Sequence, residues 1–238
     1  MSAASDRSPL FYARVAGFIY LSAMALSMFS QMYVPGRIVV PGDLGATAQN
    51  LLAHEGLFRA GIVVDVVIFV SDVVIAWAFY ELLKPVDAAL ARLGAWLRVA
   101  DAAIMAGVTL YGLVSPRLLS GADYLQGIET EKLQALARLF MIVRGTGLYI
   151  GFVFLGAGST VLAYVLLKSR YVPRWLAAWG IFASALLTVG SLATMQSPWF
   201  AANASMIFMV PMFFYEVPLG LWFLVKGVDV SARKGSFL

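Results

Sequence analysis

The sequence predicts an all-α, polytopic transmembrane helical bundle of six spans, with both termini cytoplasmic and a short interfacial helix between spans one and two. Three observations predict it. Of the 238 residues, 61% are hydrophobic and 13% charged, about half the charged share of a soluble domain. The apolar residues gather in six runs of about 20 residues or more, the length that crosses a hydrocarbon layer of ~30 Å. The connectors are too short for a separate soluble domain, so residues 1–238 read as a single transmembrane domain. Any function must then sit in the spans or at their mouths.

The first run extends from about Ala13 to Tyr33 behind Arg7 and Arg14. Its apolar stretch exceeds the ~7 to 15 residues of a signal-peptide core and no convincing cleavage site follows, so it reads as a retained span. In the polar insert after it, Pro41-Gly42-Asp43 makes a turn, and Asp43 is placed to cap a short helix through Asn50, Leu51 and Leu52 along the membrane surface. The later runs cover about Ala60 to Leu83, Leu93 to Val114, Leu139 to Leu167, Trp175 to Met195 and Ser205 to Val225.

Basic residues orient the bundle. Arg7, Arg14, Lys84, Arg92, Lys168, Arg170, Arg174, Lys226, Arg233 and Lys234 fall on one side. The other side has Arg37, Arg59, Arg117, Lys132 and Arg138, interspersed with Asp43, Glu55, Asp123, Glu129 and Glu131. The positive-inside rule puts the first side, with both ends, in the cytoplasm. The net charge of +4 is therefore a topology signal and a contact for anionic membrane lipid, and implies no nucleic-acid partner. Gly147, Gly151 and Gly158 share a face on which neighbouring helices can approach closely. Tyr80 to Lys84 and Tyr164 to Lys168 both read Tyr-x-Leu-Leu-Lys, an echo too short to establish a repeat.

Six ionisable residues fall well inside the runs: Asp65 and Asp72 in span two, Arg98 and Asp101 in span three, Arg144 in span four and Glu216 in span six. Each costs roughly 2.5 to 3.5 kcal/mol at a helix centre and is expected to face the bundle interior or a water-filled cavity. Asp65 and Asp72 lie on one helical face near Gly61, Ile68 and Ala76. Arg98 and Asp101, at i and i+3, are spaced to pair directly. By depth, Asp72, Arg98, Asp101 and Glu216 form one layer, and Asp65 and Arg144 a second. Four carboxylates against two guanidiniums leave an excess of acid, so one or two carboxyls are expected to keep or share protons. Pro211 and Pro218 flank Glu216 and are expected to kink the helix and free carbonyls there.

Much chemistry is excluded. Without cysteine there is no disulfide framework and no thiolate site. A metal centre is not expected, because the one histidine, His54, stands beside Glu55 before span two, away from further ligands. A Ser-His-Asp triad fails similarly, since Ser71 and Asp72 lie at another depth. Every lysine is at a span end or in a loop, which argues against an internal Schiff base, and no phosphate-binding glycine loop appears, so no cofactor is expected.

Ala13-Arg14-Val15-Ala16-Gly17, Val40-Pro41-Gly42-Asp43, His54-Glu55-Gly56-Leu57-Phe58-Arg59, Lys84-Pro85-Val86 and Tyr171-Val172-Pro173-Arg174 resemble the bacterial membrane family known as domain of unknown function 4386. Asp87 stands where that family more usually has Asn. The resemblance spans nearly the whole chain and implies a multi-span protein of the bacterial inner membrane, without assigning an activity.

Three functions fit these residues. The leading one is a pocket that takes a lipophilic or amphiphilic small molecule from the bilayer, with acid–base chemistry of the isomerase or cyclase type. There Asp72, Glu216 and Asp101 are the catalytic candidates, Asp65, Arg98 and Arg144 bind ligand or hold anionic groups, and Tyr80, Tyr111 and Tyr149 shape the cavity. The alternatives are a proton-coupled carrier of small solutes and a non-catalytic membrane scaffold whose charges fix helix register.

Overall fold

The structure, a computed structural model, describes residues 8–203 and 207–228. Arg7, Arg233 and Lys234, part of the orientation argument, and Ser205, the expected start of span six, lie outside the described residues. Within them the chain is helical without strands: α1 Pro9–Ile38, α2 Leu44–Ala53, α3 Glu55–Leu83, α4 Ala88–Leu118, α5 Thr130–Ser169, α6 Arg174–Gln196, α7 Pro198–Asn203 and α8 Ile207–Val225. Six of these, α1, α3, α4, α5, α6 and α8, are long and apolar enough to cross a membrane. They coincide with the six expected runs.

Most ends follow from local chemistry. Gly42 takes φ 81° in the turn before α2, a conformation only glycine adopts freely. Asp43 then caps α2, its Oδ1 accepting from the Ala46 N–H at 2.9 Å. That is the short helix expected between the first two spans. Asp87 caps α4 through the Leu90 N–H at 3.1 Å. Its other oxygen accepts from Lys168 at 2.8 Å. This hydrogen bond to Lys168, helped by the cap, holds the Asp87 carboxyl below the usual carboxylate range. The two Tyr-x-Leu-Leu-Lys segments share a local conformation, each lysine lying over its tyrosine ring, at 5.8 Å for Lys84 on Tyr80 and 5.7 Å for Lys168 on Tyr164.

Two features depart from expectation. α1 widens to π-helical bonding over Met28–Tyr33 before resuming as α-helix at Val34. Pro211 lies in the first turn of the α-helical part of α8, Val210–Val225, where its missing N–H is not needed. Only Pro218 lies inside that helix, so Pro211 starts a helix where a kink was expected.

Packing gathers the chain into two units. The first holds residues 8–23, 71–102, 149–203 and 207–228, the second 24–70 and 103–148. The core of the first includes Tyr20, Phe79, Leu83, Leu166, Tyr215 and Phe223. Small residues let its helices approach: a β-carbon on Gly158 would stand 2.9 Å from the Gly94 carbonyl oxygen, the close contact on which helices in lipid rely. The core of the second unit is smaller, built on Val34, Ile38, Leu51, Phe58 and Ile62.

Candidate functional site

Each unit encloses one charged cluster. In the first, Arg98 on α4 is 1% exposed and is held by residues of three other helices. One terminal nitrogen donates to Asp72 Oδ1 of α3 at 2.7 Å. The other donates to the Tyr20 hydroxyl of α1 at 3.1 Å and to Ser159 Oγ of α5 at 2.9 Å. Asp101 and Glu216 also lie within electrostatic reach of this guanidinium. The four residues expected to form one layer are therefore brought together. Their pairing is not the expected one, because Arg98 closes on Asp72 and leaves Asp101 Oδ1 buried without a hydrogen-bond partner among the described residues. Helical side chains slant toward the N-terminus. A long arginine thus reaches away from an acid three residues after it, toward the neighbouring helix.

The second cluster joins Asp65 of α3 to Arg144 of α5, with a terminal nitrogen of Arg144 donating to Asp65 Oδ2 at 2.5 Å. Asp65 is 2% exposed. Room for the arginine stem comes from α4, where a β-carbon on Gly112 would stand 2.8 Å from Arg144 Cδ. Ser30, in the π-helical turn of α1, is also buried and stands beside Asp65.

A pocket of about 140 Å³ opens at this second cluster. Ser30 and Arg144 supply its polar end, and Val34, Ile38, Phe58, Ile62 and Met141 its apolar walls. Gly145 lies on its rim, and a β-carbon built there meets open space. The volume is close to that of a cavity of ~150 Å³ that admits benzene.

The remaining candidates are dispersed. Asp72, Asp101 and Glu216 belong to the Arg98 cluster and do not line this pocket. Neither do the three tyrosines: Tyr80 packs on the first core, Tyr111 stacks on Phe140, and Tyr149 meets Phe152 and Phe208. Sequence reasoning missed Tyr20, Ser159 and Ser30, since neutral polar residues are common in spans and nothing in a single sequence says which of them meets a charge. It missed Gly112 for the same reason.

The model of a family described as "Domain of unknown function (DUF4386)" matches residues 15–227. An uncharacterised protein of Archaeoglobus fulgidus is 29% identical over 164 residues, 69% of this chain and 82% of the relative. No solved structure matches the chain significantly.

Proposed function

The chain belongs to the DUF4386 family, and on that footing we propose that this multi-pass membrane protein binds the end of a lipophilic or amphiphilic small molecule in the Ser30–Arg144 pocket. One observation carries the proposal: an otherwise apolar pocket ends on a buried serine and a guanidinium, the few convergent polar groups in a greasy cavity that mark small-molecule sites. Access from the bilayer fits the apolar walls. We place the protein in the cytoplasmic membrane with both ends cytoplasmic, on the distribution of its basic residues. Since the chain has no cysteine, Ser8→Cys and Gln126→Cys test that topology with an impermeant thiol reagent. Labelling of Ser8→Cys in intact cells would refute it.

The pocket is tested by filling it. Gly145→Leu puts a side chain into open space and replaces a helix glycine, so the fold is expected to survive. Purified wild type should carry co-purifying amphiphiles, measured by native mass spectrometry after detergent exchange, and the variant should lose them. Equal retention by both would remove the pocket from the account.

A second reading, a proton-coupled carrier, is favoured by the Arg98 cluster, where three carboxylates stand near one guanidinium. Proton-linked uptake into vesicles that Glu216→Gln abolishes would support it. An inert vesicle with the fold intact would count against it.

A further inference from the structure

The polar end of the pocket carries unfilled hydrogen-bonding capacity of complementary kinds. Ser30 Oγ, Asp65 Oδ1 and Arg144 Nε are all buried, and none makes a hydrogen bond of acceptable geometry with the described residues. Ser30 and Arg144 line the pocket, and Asp65 is bonded to Arg144 with Ser30 beside it. Of these, the two on the pocket wall are the Arg144 N–H, a donor, and the Ser30 hydroxyl, able to act either way. Leaving such groups unfilled in a dry interior is costly, so a ligand that fills them is favoured.

Charge narrows what fills them. Among the described residues Arg144 is the one ionisable group of the lining, and Asp65, which does not line the pocket, neutralises it. An anionic head placed on Arg144 would come close to Asp65 in a medium of low dielectric, and a cationic head in the pocket would face Arg144. A neutral group that both accepts and donates meets neither penalty. Resting on the pocket reading above, we infer that the buried end of the ligand is an uncharged hydrogen-bonding group of the alcohol or primary-amide class. Its oxygen accepts from Arg144 Nε and its proton goes to Ser30 Oγ, while Asp65 keeps the guanidinium neutralised. Arg144 then serves as a neutral-pair donor, where the sequence alone suggested an anchor for anions.

The test uses full-length protein in phosphatidylcholine nanodiscs at pH 9 with diazirine-bearing decanol, decanoate and trimethyldecylammonium, reading crosslinks to the α5 segment around Met141 and Arg144 by mass spectrometry. Decanol should label that segment saturably and be competed by unlabelled decanamide. Its labelling should exceed that of either charged probe by about tenfold, the ratio that one satisfied hydrogen bond supplies. Gly145→Leu should abolish the labelling, and Ser30→Ala should lower it about tenfold. Equal or stronger labelling by decanoate or the ammonium probe, still sensitive to Gly145→Leu, overturns the head-group inference and leaves the pocket reading standing. No saturable labelling by any probe overturns the pocket reading and this inference together. Decanol selectivity that survives Ser30→Ala undiminished overturns the assignment of Ser30 to the contact.

Discussion

Arg98 is tied to Asp72, 26 residues earlier in the chain, at 2.7 Å, although Asp101 stands one turn away on its own helix. The asymmetry makes the two acids unequal. Asp72→Asn removes the charge partner of a guanidinium that is 1% exposed, and breaking a buried pair typically costs about 3–5 kcal/mol. Because Asp72 is itself 17% exposed, the lower end of that range is expected, seen as a marked loss of thermal stability in detergent. Asp101→Asn, which breaks no ion pair, should cost far less. Equal losses would mean that the two acids share the arginine.

The same arginine is held by two neutral groups, so Tyr20→Phe and Ser159→Ala should each destabilise by about 1–3 kcal/mol. Both serve one terminal nitrogen of Arg98. Their effects should therefore be coupled, with the double variant departing from additivity by at least 0.5 kcal/mol or so. Simple additivity in a thermal-stability cycle would argue against a shared donor.

Glycines divide by what a methyl group would strike. At Gly180 a β-carbon overlaps the Tyr215 ring, and at Gly190 the Phe208 ring. Alanine at either is expected to cost about 1–3 kcal/mol by overpacking. At Gly107 and Gly145 a β-carbon meets open space, and alanine there should be neutral or stabilise by up to ~1 kcal/mol. A scan of melting temperatures in one detergent separates the two classes, and a loss at Gly107 equal to that at Gly180 would contradict it.

Acid should loosen one contact at the end of α5. Lys168 holds the Asp87 carboxyl below its usual range. The ion pair therefore contributes fully above the unfolded carboxylate value of ~3.9 and fades as pH falls through the lower folded value. Asp87→Asn keeps an oxygen for the Leu90 cap but loses the ion pair, so this step should vanish from its stability profile below about pH 4. Because the pair is exposed, 0.5 M salt should reduce the difference at neutral pH as well.

The spans were legible because lipid demands long apolar runs and charges mark their ends. Asp43 was legible as a cap for the same kind of reason: its chemistry is local, acting three residues ahead. Membership of the two charge clusters could also be read, since buried charges must find one another and depth sorts them. Partner choice could not. Whether Arg98 meets Asp72 or Asp101 depends on side-chain direction and on which helix is adjacent, neither of which is written in spacing. Pro211 shows the complementary failure: a proline reads as a kink or as a first turn according to where the helix begins, and that beginning depends on packing beyond the local sequence. The pocket was illegible as a place because its walls come from three separate stretches, and Gly112 acquires a meaning only once Arg144 lies against it.

The wide turn at Met28–Tyr33 makes the length of this span a coded quantity. A π-turn accommodates a residue beyond what α-helical winding would take up. Deleting a single residue there should let α1 run on as ordinary helix, rotating every later side chain by about 100°. Val34 and Ile38 would turn out of the second core while the first core kept its register. Insertions and deletions in this segment are therefore far less interchangeable than substitutions, and a relative lacking the extra residue should have rebuilt the pocket wall from different positions.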